Sequence, residues 1–284
     1  MVCNLLTLAH MLRSLIFLPV LSGALVCCGW SQAWADANQD LFNAAARGSE
    51  TAVRSALLAG ADINARNASG RSPLMAAVFY GNHAIAKLLL AEGADVNLAD
   101  KFGRTAMIEA ALIPDVAMFT SLLNRGGDVN AKAEDGTTAL LNAVFGDHME
   151  IFQLLLAKGA DVQAKNKEGL TSLHHAAHYG RLEMLKALLA KGAPMNAQAG
   201  DGTTPLMHAA AQGQADAVES LLDFKADFAL KSTAELTAVQ TAQVAGHTKV
   251  VKLLEKAAEK AEEGKPKEGE KAGEKTEQKP AEKK

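Results

Sequence analysis

Gly93-Ala94-Asp95-Val96-Asn97 is one copy of a phrase that recurs along the chain. It stands earlier as Gly60-Ala61-Asp62-Ile63-Asn64 and later as Gly126-Gly127-Asp128-Val129-Asn130 and Gly159-Ala160-Asp161-Val162-Gln163. Gly192-Ala193-Pro194-Met195-Asn196 is a decayed copy. Each step is 33 residues, without an insertion. A second marker keeps the same beat at Gly70, Gly103, Gly136, Gly169 and Gly202. Behind these glycines stand Ser72-Pro73-Leu74, Thr105-Ala106-Met107, Thr138-Ala139-Leu140, Thr171-Ser172-Leu173 and Thr204-Pro205-Leu206. A third marker is an apolar run such as Lys87-Leu88-Leu89-Leu90 or Gln153-Leu154-Leu155-Leu156. A fixed period of this length marks an array of stacked supersecondary units.

The local chemistry says what each unit is. Thr204 before Pro205, and Ser72 before Pro73, read as a helix N-cap followed by proline at the first helical position. Gly81, Gly180, Gly213 and Gly246 sit where the first helix stops. Gly60, Gly93, Gly159 and Gly192 do the same for a second helix, and glycine takes the left-handed conformation such ends require. Paired alanines, as at Ala76-Ala77 and Ala176-Ala177, let neighbouring helices approach closely, and the leucine runs fill the seams between units. One hairpin cannot bury this surface alone, so stacking supplies the stability.

These markers resemble the ankyrin repeat, with its glycine, Thr-Pro-Leu-His stretch, paired alanines, leucine run and Gly-Ala-Asp-Val-Asn. The resemblance covers about residues 38–258. It implies an all-α solenoid of about seven helix-turn-helix repeats with β-turn fingers, at 38–69, 70–102, 103–135, 136–168, 169–201, 202–234 and 235–258, in a domain of 36–258. The first unit lacks the glycine and threonine markers. The last has Glu235 at the turn glycine, with Lys225 at the loop glycine before it, as capping units would. Pro114 and Asp147 replace the glycine that ends the first helix in the third and fourth units, which leaves the turn geometry open there.

The flanks have other compositions. Leu15 to Val26 is an apolar run after Arg13, and Ala33-Trp34-Ala35 is a small-x-small cleavage pattern, so 1–35 reads as a signal peptide cut before Asp36. The competing readings are a membrane anchor, for which the run is short, and lipidation at Cys27 or Cys28, for which Val26 is larger than usual. A bacterial, periplasmic destination is expected, with no stable membrane insertion after cleavage; a eukaryotic secretory signal reads similarly. Residues 259–284 read as a disordered tail: 260–284 hold eight lysines and seven glutamates and no large apolar residue.

Composition excludes several classes. All three cysteines, Cys3, Cys27 and Cys28, precede residue 30, so the repeats have no disulfide, thiolate metal site or thiol nucleophile. A formal net charge of −3 gives no bulk field toward nucleic acid. No phosphate loop, dinucleotide fingerprint or Gly-x-Ser-x-Gly elbow occurs, and no cofactor is expected. His174, His175 and His178 form a cluster. His174 and His178 lie one helical turn apart, a spacing that can hold a metal, and an enzymatic or metal-binding protein centred there is one alternative. The stronger reading is structural, because His174 falls on the family's Thr-Pro-Leu-His histidine, which bonds loop backbone. His175 and His208 share one repeat position. The Asp-x-Asn pairs recur once per unit and read as loop structure rather than calcium ligands.

Positions that the repeat leaves free are more informative. The two residues before each helix-ending position face the groove in this family: Phe79 and Tyr80, Leu112 and Ile113, Phe145 and Gly146, His178 and Tyr179. They fade to Ala211 and Gln212, then Val244 and Ala245. Finger positions add Arg66, Arg71, Lys101, Arg104, Lys132, Lys165 and Lys167, with Phe102 at a fingertip. Such a stripe beside clustered cations suits a binding surface. The resemblance implies a non-catalytic, monomeric scaffold that engages a protein partner through Phe79, Tyr80, Phe102, Leu112, Ile113, Phe145, His178 and Tyr179, with Arg71, Lys101 and Arg104 as a charged rim. A structural envelope linker acting through the tail is the third reading.

Overall fold

The computed structural model describes residues 26–263, with side chains over 36–261. The expected leader up to residue 25 and the tail from residue 264 lie outside the described residues. Fourteen helices and no strand are found among the described residues. They pair in chain order: α1 (Val26–Arg47) with α2 (Glu50–Leu58), α3 (Pro73–Phe79) with α4 (His83–Ala91), and α5 (Ala106–Ala110) with α6 (Val116–Asn124). Then come α7 (Ala139–Phe145) with α8 (Met149–Ala157), α9 (Ser172–His178) with α10 (Leu182–Ala190), α11 (Pro205–Ala211) with α12 (Ala215–Asp223), and α13 (Ala238–Ala245) with α14 (Thr248–Glu263). Each pair packs on the next, first helix on first helix throughout and second on second at most junctions.

The capping residues act as their positions require. The Ser72, Thr105, Thr138 and Thr204 side chains each accept from the backbone N–H three residues on. Thr237 and Gln240 form a reciprocal capping box. The alanine column Ala77, Ala110, Ala143, Ala176, Ala209 and Ala242 is buried at the seam between first helices. Leu89, Leu122, Leu155, Leu188, Leu221 and Leu254 recur at the 33-residue spacing and are all fully buried. Each such leucine contributes roughly 1.5–3 kcal/mol by leaving water.

A hydrogen-bond ladder ties the loops together. Asn38, Asn64, Asn97 and Asn130 each accept, through Oδ1, from the backbone N–H of Asp62, Asp95, Asp128 and Asp161 respectively, at 2.7–2.9 Å. The aspartate Oδ1 atoms in turn accept from backbone N–H two residues on. The rung fails where Gln163 stands in the asparagine position; the next unit has Pro194 there, which has no N–H to offer. It resumes from Asn196 to Asp227. The fingers form a second ladder, in which Lys101, Glu134, Lys167, Gly200 and Thr233 donate backbone N–H to the preceding finger.

Gly136 shows why the finger glycines recur. Its φ is +78°, and an added Cβ would stand 2.7 Å from Asn166 Cα on the next finger. Glu235 adopts φ +60° at the same repeat position. It is the last unit, so no following finger crowds its Cβ. Asp147 and Lys225 also hold left-handed backbone, at φ +60° and +71°, which keeps the turns expected of glycine despite the substitutions. At Pro114 the turn differs: α5 ends at Ala110 and is two residues shorter than α3 or α7. Proline cannot take positive φ and disfavours helical backbone at Ile113 before it.

Two boundaries differ from the sequence reading. The first helix begins well before Asn38 and runs through the Ala35–Asp36 junction. The last helix continues to Glu263, past the expected end at 258. Alanine, lysine and glutamate are strong helix formers, and opposite charges stand three apart at Lys252 and Glu255, Lys256 and Glu259, and Lys260 and Glu263. No helix among the described residues is long and apolar enough to cross a membrane.

Candidate functional site

The first helices and the fingers share one face, because a finger-base residue packs on the helix ends. The Arg71 guanidinium lies 4.5 Å from the centroid of the Phe79 ring. From this face the C-terminal ends of successive first helices project Phe79 and Tyr80 from α3, Leu112 and Ile113 after α5, Phe145 from α7, and His178 and Tyr179 from α9. Phe79, Tyr80, Leu112 and Phe145 are 46–60% exposed, and Tyr179 is 37% exposed. Phe79 meets Tyr80 edge to face at 5.1 Å, and Phe145 meets Tyr179 at 5.6 Å across the unit boundary. Ile113 and His178 are half-buried, Ile113 against the core. Phe102 is exposed at its fingertip, with the Arg104 guanidinium 5.1 Å from its ring centroid.

The expected rim of cations needs correction. Arg71 is not a surface charge: its side chain is 18% exposed and pairs with the Glu109 carboxylate of the next unit, which is 8% exposed. A buried carboxylate draws the guanidinium in, because neither charge tolerates desolvation alone. Burial pushes the Glu109 carboxyl up from its ordinary range, while Arg71 pulls it back. Arg66 and Lys165 each cap a backbone carbonyl one unit on, those of Ala99 and Gln198. Arg104 pairs at 3.2 Å with Asp100, whose carboxylate is sealed in the finger. Lys101 is exposed and makes no ion pair among the described residues.

Glu109 stands at the repeat position that His175 and His208 share. At 33-residue spacing the first helices present Ala76, Glu109, Asn142, His175, His208 and Thr241. Asn142 donates to the Ile108 carbonyl at 2.8 Å, and Glu109 holds Arg71. The signal was there: polar side chains recur one residue before the alanine that packs between first helices.

The histidines separate into two kinds. His174 is buried with both ring nitrogens engaged. Nδ1 accepts from the Thr171 backbone N–H at 3.1 Å, so Nε2 carries the proton and donates to the Thr203 carbonyl at 3.3 Å. This completes the capping box of α9. Burial, with His208 nearby, lowers the His174 pKa to about 4. His208 donates from Nε2 to the Thr203 hydroxyl at 3.1 Å, whose own proton goes to Asp201 at 2.6 Å. His208 meets His174 at 5.3 Å and His178 at 5.8 Å between centroids. Among the described residues no group of three or more His, Cys, Asp or Glu side chains is disposed to hold a metal ion.

A family model described as ankyrin repeats in three copies matches residues 41–133, 109–199 and 190–263. The chain belongs to the ankyrin-repeat family. Comparison with the curated proteins finds no match. Ankyrin-repeat proteins generally mediate protein–protein interaction and are typically non-catalytic scaffolds. The face built by α3, α5, α7 and α9 with the fingers is the candidate binding surface of this array.

Proposed function

We propose that this ankyrin-repeat protein is a monomeric, non-catalytic scaffold that binds a protein partner in the periplasm through its groove. The observation that carries the reading is the row of exposed Phe79, Tyr80, Leu112, Phe145 and Tyr179 on the ends of consecutive first helices. These side chains are large and apolar, yet the stacked core does not use them. Aromatic anchors of this kind dominate interface energetics. Phe102 with Arg104, and the unpaired Lys101, edge the groove on the finger side. The apolar run Leu15 to Val26 and the Ala33-Trp34-Ala35 pattern support export and cleavage before Asp36.

The test is affinity capture from an oxidising extract with two baits, the mature chain and a Tyr80→Ala, Tyr179→Ala variant. A protein retained by the first and released by the second is expected. Equal recovery on both baits counts against the groove. The intact mass of the exported form checks the location: it should begin at Asp36, and a form that keeps Leu15 to Val26 or carries lipid on Cys27 or Cys28 contradicts it.

A further inference from the structure

The polar column of the groove changes chemistry along the array. In the second and third units it is closed: Ala76 offers nothing, and Glu109 is already paired with Arg71. In the fourth, Asn142 is committed to the Ile108 carbonyl. In the fifth and sixth it holds His175 and His208, with His178 one turn along α9. Unlike those of His174, these rings have free nitrogens. No ring nitrogen of His175 or His178 makes a hydrogen bond among the described residues, and His208 uses only Nε2. None of the free nitrogens is among the fully buried, unpartnered polar atoms, so each keeps some solvent-accessible surface. His178 lies 5.8 Å from His208 and 4.7 Å from Tyr179, while His175 stacks on Tyr179 within 13° of parallel.

Two carboxylates border the cluster, but at His175 and His208 burial and the neighbouring imidazoles outweigh them. His174 is neutral and consumed by its cap. Asp201 faces His208 and is held in its charged form by the Thr203 hydroxyl and N–H. Glu168 faces His175 from the finger side and is solvent-exposed. Tyr179 contributes a ring. Burial is the main cause that disfavours protonation of His175 and His208, and the neighbouring His178 adds to it at both. A carboxylate brought among them would reverse that balance, since an opposite charge at close range favours the charged form.

We propose that His175, His178 and His208 form a carboxylate-accepting site in the groove, which seats an acidic side chain of the partner and takes up protons as it binds. The proposal rests on the groove being the partner-binding face. It also sets direction: the partner segment lies with its acidic residue over the fifth and sixth units and its apolar residues along Phe145, Leu112 and Phe79. Binding tightens as the solution acidifies through the ordinary histidine range.

The probe is a labelled peptide in which glutamates are interspersed with phenylalanine and leucine, compared with its glutamine counterpart at constant ionic strength. Fluorescence anisotropy is read from about pH 8 to about pH 6. The glutamate peptide should bind about tenfold tighter at the acid end, the equivalent of one proton affinity raised by one pKa unit, and the glutamine peptide by less than about twofold. His175→Gln with His178→Gln breaks no ring hydrogen bond of the free protein, so the fold should hold, and it should flatten the glutamate peptide's pH dependence. Tyr179→Ala should weaken both peptides at every pH. An unchanged pH dependence in the double variant, or one shared by the glutamine peptide, overturns the site. If both peptides bind without pH dependence and both are weakened by Tyr179→Ala, the groove stands and the carboxylate site falls. Failure of both peptides to bind at the acid end contradicts the groove as well.

Discussion

His174 is the residue whose chemistry sets the acid limit of the array. Its Nδ1 accepts from Thr171 and can do so only while unprotonated. A pKa lowered from 6.5 to about 4 means that the folded state resists protonation where the unfolded chain accepts it. The unfolded state then binds more protons between those values, so stability falls as pH drops from about 6.5 toward about 4. The full effect is on the order of 3 kcal/mol. Urea melts across that range should show the loss, and His174→Gln should flatten the slope while costing about 1–3 kcal/mol near neutrality. A wild-type midpoint flat down to about pH 4.5 would contradict this. Arg71 carries a second expectation. Arg71→Met strands the buried Glu109 carboxylate and should cost about 3 kcal/mol or more, whereas Arg71→Met with Glu109→Leu should recover most of it. Denaturant melts of both variants decide; equal losses would mean the pair is unimportant. His174 was legible in the sequence because its position in the repeat states its partner. Arg71 was not, because the carboxylate that draws it inward stands 38 residues away in a column whose residue type changes from unit to unit.

At the scale of the helix and its turns, the exceptions to the repeat decide where strain is held. Lys225 and Glu235 occupy left-handed backbone, which costs a side-chain-bearing residue about 1–2 kcal/mol. Lys225→Gly and Glu235→Gly should therefore each raise the unfolding free energy by about 0.5–1 kcal/mol. Gly136→Ala should do the reverse, and by more than Gly93→Ala. Both glycines have positive φ, but only at Gly136 would the Cβ strike the next finger's backbone; at Gly93 it meets open space. Equal losses at the two sites in chemical denaturation would show that finger packing adds nothing. The turns were readable from the glycine positions, but not at the two where Pro114 and Asp147 intervene. Asp147 keeps the turn, and its carboxylate gains Arg181 at 2.7 Å; Pro114 shortens the helix instead. The end of α14 lies past the boundary that the rise in charge suggests, because the same residues are good helix formers with favourable spacing.

For the whole molecule, the main helix contacts among the described residues run between neighbouring units, so stability is a sum of unit and interface contributions. The seventh unit has one neighbour and holds its turn at Glu235 against the backbone preference. Among its first-helix residues only Ala238 and Ala242 are buried. Residues 235–258 should accordingly show the fastest amide exchange of the array, and earlier opening of the fourth or fifth unit would refute this. The groove as a surface could be read from the repeat, because free positions fall at known places on each unit. Which of its cations are available could not, since Arg66, Arg71 and Lys165 are turned inward or along the ladder by partners in the adjacent unit. The central claim, that the partner seats on the first-helix face, is tested most directly by titrating a captured partner against paired variants. Tyr80→Ala and Tyr179→Ala should each weaken binding by about 1–3 kcal/mol, with unchanged thermal melts, while Lys87→Glu and Lys186→Glu, exposed on α4 and α10, leave it unaltered. Normal binding by the tyrosine variants with loss in the lysine variants would place the partner on the second helices and contradict the account.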